Sequence, residues 1–96
     1  MRIDVTEDYS TWIDGLKDLA GRARIQARIA RLADGNPGQH RVLSQGICEL
    51  KIDAGPGYRV YYTMRGKVLV ILLVGGDKST QRTDIRRAKE LAAGLP

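Results

Sequence analysis

Residues 47–62 read ICELKIDAGPGYRVYY, two alternating runs joined by a Gly-Pro-Gly turn. Side chains alternate across a strand, so each run carries one apolar and one polar face. Cys48, Leu50 and Ile52 share a face of the first run, with Glu49 and Lys51 on the other. In the second run Tyr58, Val60 and Tyr62 alternate with Arg59 and Tyr61. A hairpin that buries both apolar faces gathers Glu49, Lys51, Arg59 and Tyr61 on the opposite, solvated surface. A carboxylate, two cations and a phenol so close together are an unusual set for such a surface. It is the first candidate for a site.

Working outward, the turn Arg65-Gly66-Lys67 leads into Val68–Val74, which is apolar throughout and rich in β-branched residues. A strand without a polar face belongs in the middle of a sheet. The hairpin then forms a meander on one side of it, and the short alternating run Arg2–Val5 pairs on the other. Thr6 is placed to cap a first helix, with Glu7 and Asp8 in its first turn and Tyr9, Trp12, Ile13 and Leu16 on its inner stripe. Asp18 is placed to cap a second helix that runs to about Ala33, with Ile25, Ile29 and Leu32 facing inward. Two short helices with a tight link read as an antiparallel helical hairpin. Residues 34–46 are rich in Gly, Asn, Pro and Ser and read as loop. A last helix spans about Thr80 to Ala93, with Ile85, Ala88, Leu91 and Ala92 inward. The expected fold is therefore α+β: β-α-α-β-β-β-α, with a twisted, mostly antiparallel four-stranded sheet packed on helices.

Ninety-six residues, 43% hydrophobic and 28% charged, make residues 1–96 a single domain of ordinary globular composition. Sixteen Lys and Arg against eleven Asp and Glu give a formal charge of +5, which favours an anionic partner. The distribution says more than the total. Arg24, Arg28 and Arg31 share one face of the second helix, a quarter-turn from its apolar stripe. Taken alone, that row is a solvated helix side. The single cysteine, Cys48, excludes an internal disulfide and sits on an apolar strand face, as a buried inert thiol would. His40, the single histidine, lies in the polar loop without a second His or Cys to complete a metal site. No apolar stretch precedes a cleavage site at the N-terminus, and the longest apolar run is far too short to span a bilayer. A cytoplasmic protein without cofactor or metal is expected.

Gly75-Gly76-Asp77-Lys78-Ser79 follows the central strand and opens the last helix. It superficially resembles a nucleotide-binding loop, but Asp77 stands where the Walker pattern requires its final glycine. The milder expectation is one phosphate held by backbone N–H groups at the helix start, with Lys78 beside it.

With the element order complete, the chain resembles the RelE/ParE superfamily of toxins from bacterial toxin–antitoxin modules, closest to the HigB-like addiction-module killer branch. The likeness is carried by GICELKIDAGPGYRVYY at 46–62, by LLVGGDKSTQRTDIRRAKEL at 72–91, and by Tyr9 to Leu16 ahead of the arginine-rich helix. It implies a ribosome-dependent mRNA endoribonuclease that cuts without a metal, the mRNA 2′-hydroxyl attacking the adjacent phosphate. The positions it marks as catalytic are Glu49, Lys51, Arg59, Lys78 and Arg82. Relatives of the RelE type carry two lysines on the first hairpin strand, and Glu49 takes the place of one here. Arg24, Arg28, Arg31, Arg86 and Tyr61 are the matching candidates for RNA or ribosome contact. Implied partners are the ribosome with its mRNA and a cognate antitoxin, typically a small helix-turn-helix protein, in a toxin–antitoxin hetero-oligomer.

The chemistry of such a cut asks for a base, an acid for the leaving group, and cations for the charge that builds on phosphorus. Arg59 suits the last role, since its planar fork matches two phosphate oxygens. Glu49 is a candidate base or an orienting partner of Lys51, and Lys51 becomes a base only if a cation such as Arg59 holds it neutral. Tyr61 either stacks on a base or packs as a structural ring. Against this stands a plain cross-strand salt bridge from Glu49 to Arg59 or Lys51. Two other functions share the fold: a ParE-like gyrase inhibitor, and a non-catalytic nucleic-acid-binding module.

Overall fold

The computed structural model describes residues 1–96. In chain order it contains β1 (Arg2–Val5), α1 (Glu7–Asp14), α2 (Leu19–Ala33), β2 (His40–Val42), β3 (Ile47–Ile52), β4 (Tyr58–Arg65), β5 (Leu69–Asp77) and α3 (Gln81–Ala93). Short 3₁₀ turns at Ser44–Gly46 and Lys78–Thr80 precede β3 and α3. The two helix starts expected from sequence are present. The Thr6 hydroxyl accepts from the Tyr9 N–H at 3.1 Å and donates to the Leu73 carbonyl at 2.6 Å, which ties the cap of α1 to the sheet. Asp18 accepts from the Gly21 N–H at 3.0 Å. Each cap satisfies a backbone donor that the helix itself leaves unpaired.

The sheet has five strands in the order β1-β5-β4-β3-β2. β1 pairs with β5 in parallel and every other pairing is antiparallel. β5 is an interior strand between β1 and the hairpin, as expected. The four-stranded sheet expected from sequence is corrected to a mixed five-stranded one, because His40–Val42 is a strand within what reads as loop. It pairs with β3 through His40↔Leu50 and Val42↔Cys48. Three exposed residues among Gly, Pro and Asn have no periodicity of their own. They are extended because the open edge of β3 offers backbone partners. The two helices lie on the same side of the sheet, α1 packing chiefly on β5 and α2 on β3. No helix is long and apolar enough to cross a membrane.

Both faces of the sheet are covered. On one side Tyr9 and Ile13 of α1 and Ile25 and Leu32 of α2 meet Leu50, Ile52, Tyr58, Val60, Tyr62, Val70 and Leu72. On the other, α3 places Ala88, with Ile85, Leu91 and Ala92, over Ile47, Tyr61, Ile71, Leu73 and Val74. Each fully buried Leu or Ile contributes roughly 1.5–3 kcal/mol of transfer free energy, so two such layers hold a small domain together. The Glu49–Tyr61 part of the polar hairpin face expected to be solvated therefore lies under α3, and that correction decides the site. A bulge helps to seat the helix. Tyr61 pairs with Val74 while Tyr62 pairs with Leu72, so Leu73 is an extra residue. Leu73 and Val74 then both serve the α3 side. Beyond the bulge, Gly75 lies under the Trp12 ring and Gly76 under Asp84 and Thr80; a methyl group at either position would overlap those neighbours. The glycine pair lets α1 and the start of α3 approach the same stretch of strand from opposite faces.

Candidate functional site

In the hairpin register Glu49 faces Tyr61 and Lys51 faces Arg59. These are two rungs on the face that α3 covers. The first rung is sealed. Glu49 is 0% exposed, one carboxylate oxygen accepting from Gln81 Nε2 at 2.8 Å and the other lying 3.2 Å from Arg41 Nη2. Tyr61 is also fully buried, and burial first, then the neighbouring Glu49 carboxylate, pushes its phenol well above the usual range. Glu49 can touch no substrate there, and Tyr61 can stack on no base. Both expectations are corrected for one reason: α3 begins directly above this rung and excludes solvent. The ion pair of Glu49 runs to Arg41 of β2, not to Arg59 or Lys51.

The second rung is open. Lys51 and Arg59 line a cleft of about 240 Å³ together with Gln39, Asp53, Gly57 and Lys78. Arg59 forms its inner wall and is only 8% exposed. Its Nη1 donates to the Tyr58 carbonyl at 3.0 Å, and its Nε is buried without a partner. No carboxylate pairs with Arg59, Lys51 or Lys78. A guanidinium nearly removed from water with so few acceptors is costly unless an anion completes its hydrogen bonds. The cleft is thus built to receive one.

The turn between the strands brings Lys78 into this group. Gly57 has φ +82°, and Lys78 lays its alkyl chain against it so closely that a methyl group there would come within 3.0 Å of it. The Lys78 N–H donates to the Gly57 carbonyl at 3.1 Å. Tyr58 anchors the far side of the turn, donating its hydroxyl to Asp18 at 2.7 Å. The N–H of Gly21 and then this hydroxyl hold the Asp18 carboxyl below its usual range. One residue thus caps α2 and ties down the hairpin turn from the other face of the sheet.

The expected phosphate site at the start of the last helix is already filled. Asp77 accepts from the Ser79 N–H at 2.8 Å and the Ser79 hydroxyl at 2.5 Å, and its own N–H donates to the Thr80 hydroxyl at 3.3 Å. The protein's own carboxylate occupies the amides, and Lys78 serves the hairpin cleft instead.

Of the remaining candidates, Arg24 and Arg31 on α2 and Arg82 and Arg86 on α3 are exposed and lie outside the cleft. Arg28 is corrected. It turns inward, with Nη1 donating to the Lys51 carbonyl at 2.5 Å and Nη2 to the Pro37 and Gln39 carbonyls at 2.8 Å each. His40 is exposed and bonds locally to Gly38, and Cys48 is half-buried, its thiol pushed up by burial. Sequence reasoning missed Gln39 and Asp53 in the cleft, and Arg41 and Gln81 as partners of Glu49. Asp53 carried a readable signal, standing two residues beyond Lys51 at the mouth of the turn. Gln39, Arg41 and Gln81 carried none, since their places depend on β2 and on where α3 starts.

Residues 11–93 match the family described as phage derived protein Gp49-like, a span that takes in every cleft residue. An uncharacterized protein of Haemophilus influenzae is 50% identical over 95 residues, covering 99% of this chain and 96% of that protein. The chain therefore belongs to the Gp49-like family of phage-derived proteins, a family associated with toxin–antitoxin modules.

Proposed function

We propose that this chain is the toxin of a toxin–antitoxin module and that its cleft cuts mRNA on the ribosome, as its likeness to RelE/ParE and HigB-like toxins implies. The observation that carries the reading is Arg59: a nearly buried guanidinium without a carboxylate, walling a cleft it shares with Lys51 and Lys78. Three cations converging on one small polar space suit a phosphodiester. They suit still better the extra charge of a pentacoordinate phosphorus, which is where catalysis lies.

The step is an internal transfer. The mRNA 2′-oxygen bonds to the adjacent phosphorus, and the bond from phosphorus to the 5′-oxygen breaks. A 2′,3′-cyclic phosphate and a 5′-hydroxyl result. Asp53 is the one carboxylate on the cleft and takes the 2′-hydroxyl proton, a role that Glu49 is too deeply covered to fill. Lys78, its stem laid over Gly57, gives a proton to the leaving 5′-oxygen. Arg59 holds the non-bridging oxygens, with Lys51 beside it. Arg24, Arg31, Arg82 and Arg86 are exposed cations that hold ribosomal RNA. An antitoxin, a small helix-turn-helix protein encoded beside the toxin, binds it in a hetero-oligomer and silences it.

The test is to induce the chain alone in cells and map new mRNA 5′ ends against reading frame. In-frame cuts with 5′-hydroxyl and cyclic or 3′-phosphate ends are expected, with growth arrest relieved by the antitoxin. Ends bearing 5′-phosphate and 3′-hydroxyl rule out the internal transfer. Intact mRNA with double-strand DNA breaks makes the chain a gyrase inhibitor instead.

A further inference from the structure

Arg28 makes three hydrogen bonds, and all three of its acceptors are backbone carbonyls next to or within the cleft. We propose that Arg28 is a positioning residue, a clamp that holds the Pro37–Gln39 turn against β3 and so places Gln39 and Lys51 on the cleft wall. The proposal rests on the reading of the cleft given above. Its guanidinium bridges three segments at once. Nη1 reaches the Lys51 carbonyl, and Nη2 is shared between those of Pro37 and Gln39. The same Gln39 carbonyl accepts from the Lys51 N–H at 3.0 Å, so turn and strand are also stitched directly.

Gly38 makes the fit possible. It has φ +64°, and a methyl group at its Cα would press on the guanidinium at 3.1–3.3 Å. The turn is thus shaped around Arg28. The clamp also has an electrostatic consequence: three carbonyl oxygens, each the negative end of a dipole, are matched by an internal cation. Lysine cannot replace it, because a single ammonium on a flexible stem does not span three acceptors in fixed directions.

The experiment compares Arg28→Gln and Arg28→Lys with Arg31→Gln, which removes an exposed cation from the same helix. Amide exchange is followed by NMR, and single-turnover cleavage of ribosome-bound mRNA is measured across the salt range in which ribosomes stay intact. Arg28→Gln should raise exchange at the Lys51 amide by about tenfold while the β4–β5 amides stay protected. It should lower the cleavage rate by about 10–100-fold with little change in the half-saturating ribosome concentration, because misplacement acts on the reacting geometry. The loss should persist as salt rises, and Arg28→Lys should not restore it. Arg31→Gln should instead raise the half-saturating concentration, with an effect that fades in salt. An unchanged Lys51 amide in Arg28→Gln, or an effect on affinity alone that salt abolishes, overturns the proposal.

If the wild-type chain cuts no mRNA, the proposed function fails separately. The clamp is then read by NMR titration with inorganic phosphate at the Arg59 and Lys51 signals. Weaker phosphate binding in Arg28→Gln supports it, and equal binding overturns it. Should Arg28→Gln fail to fold, Gly38→Ala displaces the turn while leaving α2 intact. Normal Lys51 protection and a normal cleavage rate in that variant would equally overturn the clamp.

Discussion

The Glu49–Tyr61 and Lys51–Arg59 rungs are neighbours on one face of one hairpin, yet they have opposite fates. Both pair a charged residue with an aromatic or cationic one, and both look equally solvated in the alternation of the strands. The first is closed by α3, its carboxylate spent on Gln81 and Arg41. The second lies just past the start of that helix and stays open, with Arg59 unpaired. One step of register separates a structural ion pair from a candidate anion site. A charged residue on a polar strand face is thus uninformative until the covering layer is placed.

The difference is most sharply broken at Arg59. In Arg59→Gln the charge is lost but most of the volume is kept, and the cleavage rate on saturating ribosomes should fall by about 10²–10³-fold, roughly 2.7–4 kcal/mol, as when an oxyanion donor is removed. The urea midpoint should stay level or rise, because a nearly buried, unpaired cation costs stability that the folded state recovers once it is gone. A large drop in the midpoint, or near-normal cutting, would make Arg59 a structural residue like its neighbour.

The sealed rung should respond with the opposite sign. Arg41 is half-exposed on an edge strand and looks dispensable, yet Arg41→Ala strands the Glu49 carboxylate in a site with 0% exposure. A fully buried pair would lose about 3–5 kcal/mol, and solvent around Arg41 brings the expected loss to roughly 2–3 kcal/mol in urea denaturation. Glu49→Gln should cost less, and adding it to Arg41→Ala should recover part of the loss, since the stranded charge is then gone. If the double variant is as unstable as the sum of the two singles, the pair is not the unit that seals this rung. Cleavage by the folded protein should be affected only weakly in all three variants.

A smaller effect follows from the phenols. Burial, the largest cause, pushes Tyr9 and Tyr62 up to about 12 and raises the Tyr61 phenol as well. A folded-state value above the unfolded one means that the folded protein holds these protons more tightly. Their contribution to stability is therefore complete below the unfolded value of about 10 and is lost as pH rises from there through 12. Absorbance at 295 nm should show late, cooperative ionisation that coincides with loss of the far-ultraviolet signal. In Tyr61→Phe the alkaline transition should move to higher pH. Early, independent titration of Tyr61 in a folded protein would show that the first rung is open after all.

The order of every element but β2, both helix caps, the interior place of β5 and the hairpin register follow from local patterning, because periodicity, capping side chains and turn glycines act over a few residues. The two hairpin cations of the cleft were legible for the same reason. Lys51 and Arg59 oppose each other whenever the Gly-Pro-Gly turn closes that hairpin. Which of those side chains meets solvent was decided only by the tertiary structure. β2 exists because β3 has an edge to fill, and only through β2 does Arg41 reach Glu49. The start of α3, seated by the bulge at Leu73 and by Gly76, covers one rung and spares the next. Arg28 looks like any solvated helix cation in the sequence, and it is drawn inward by two carbonyls of the turn at Gly38 and by the Lys51 carbonyl of β3. Burial and partner choice are sums over segments distant in the chain, and a local pattern contains no term for them.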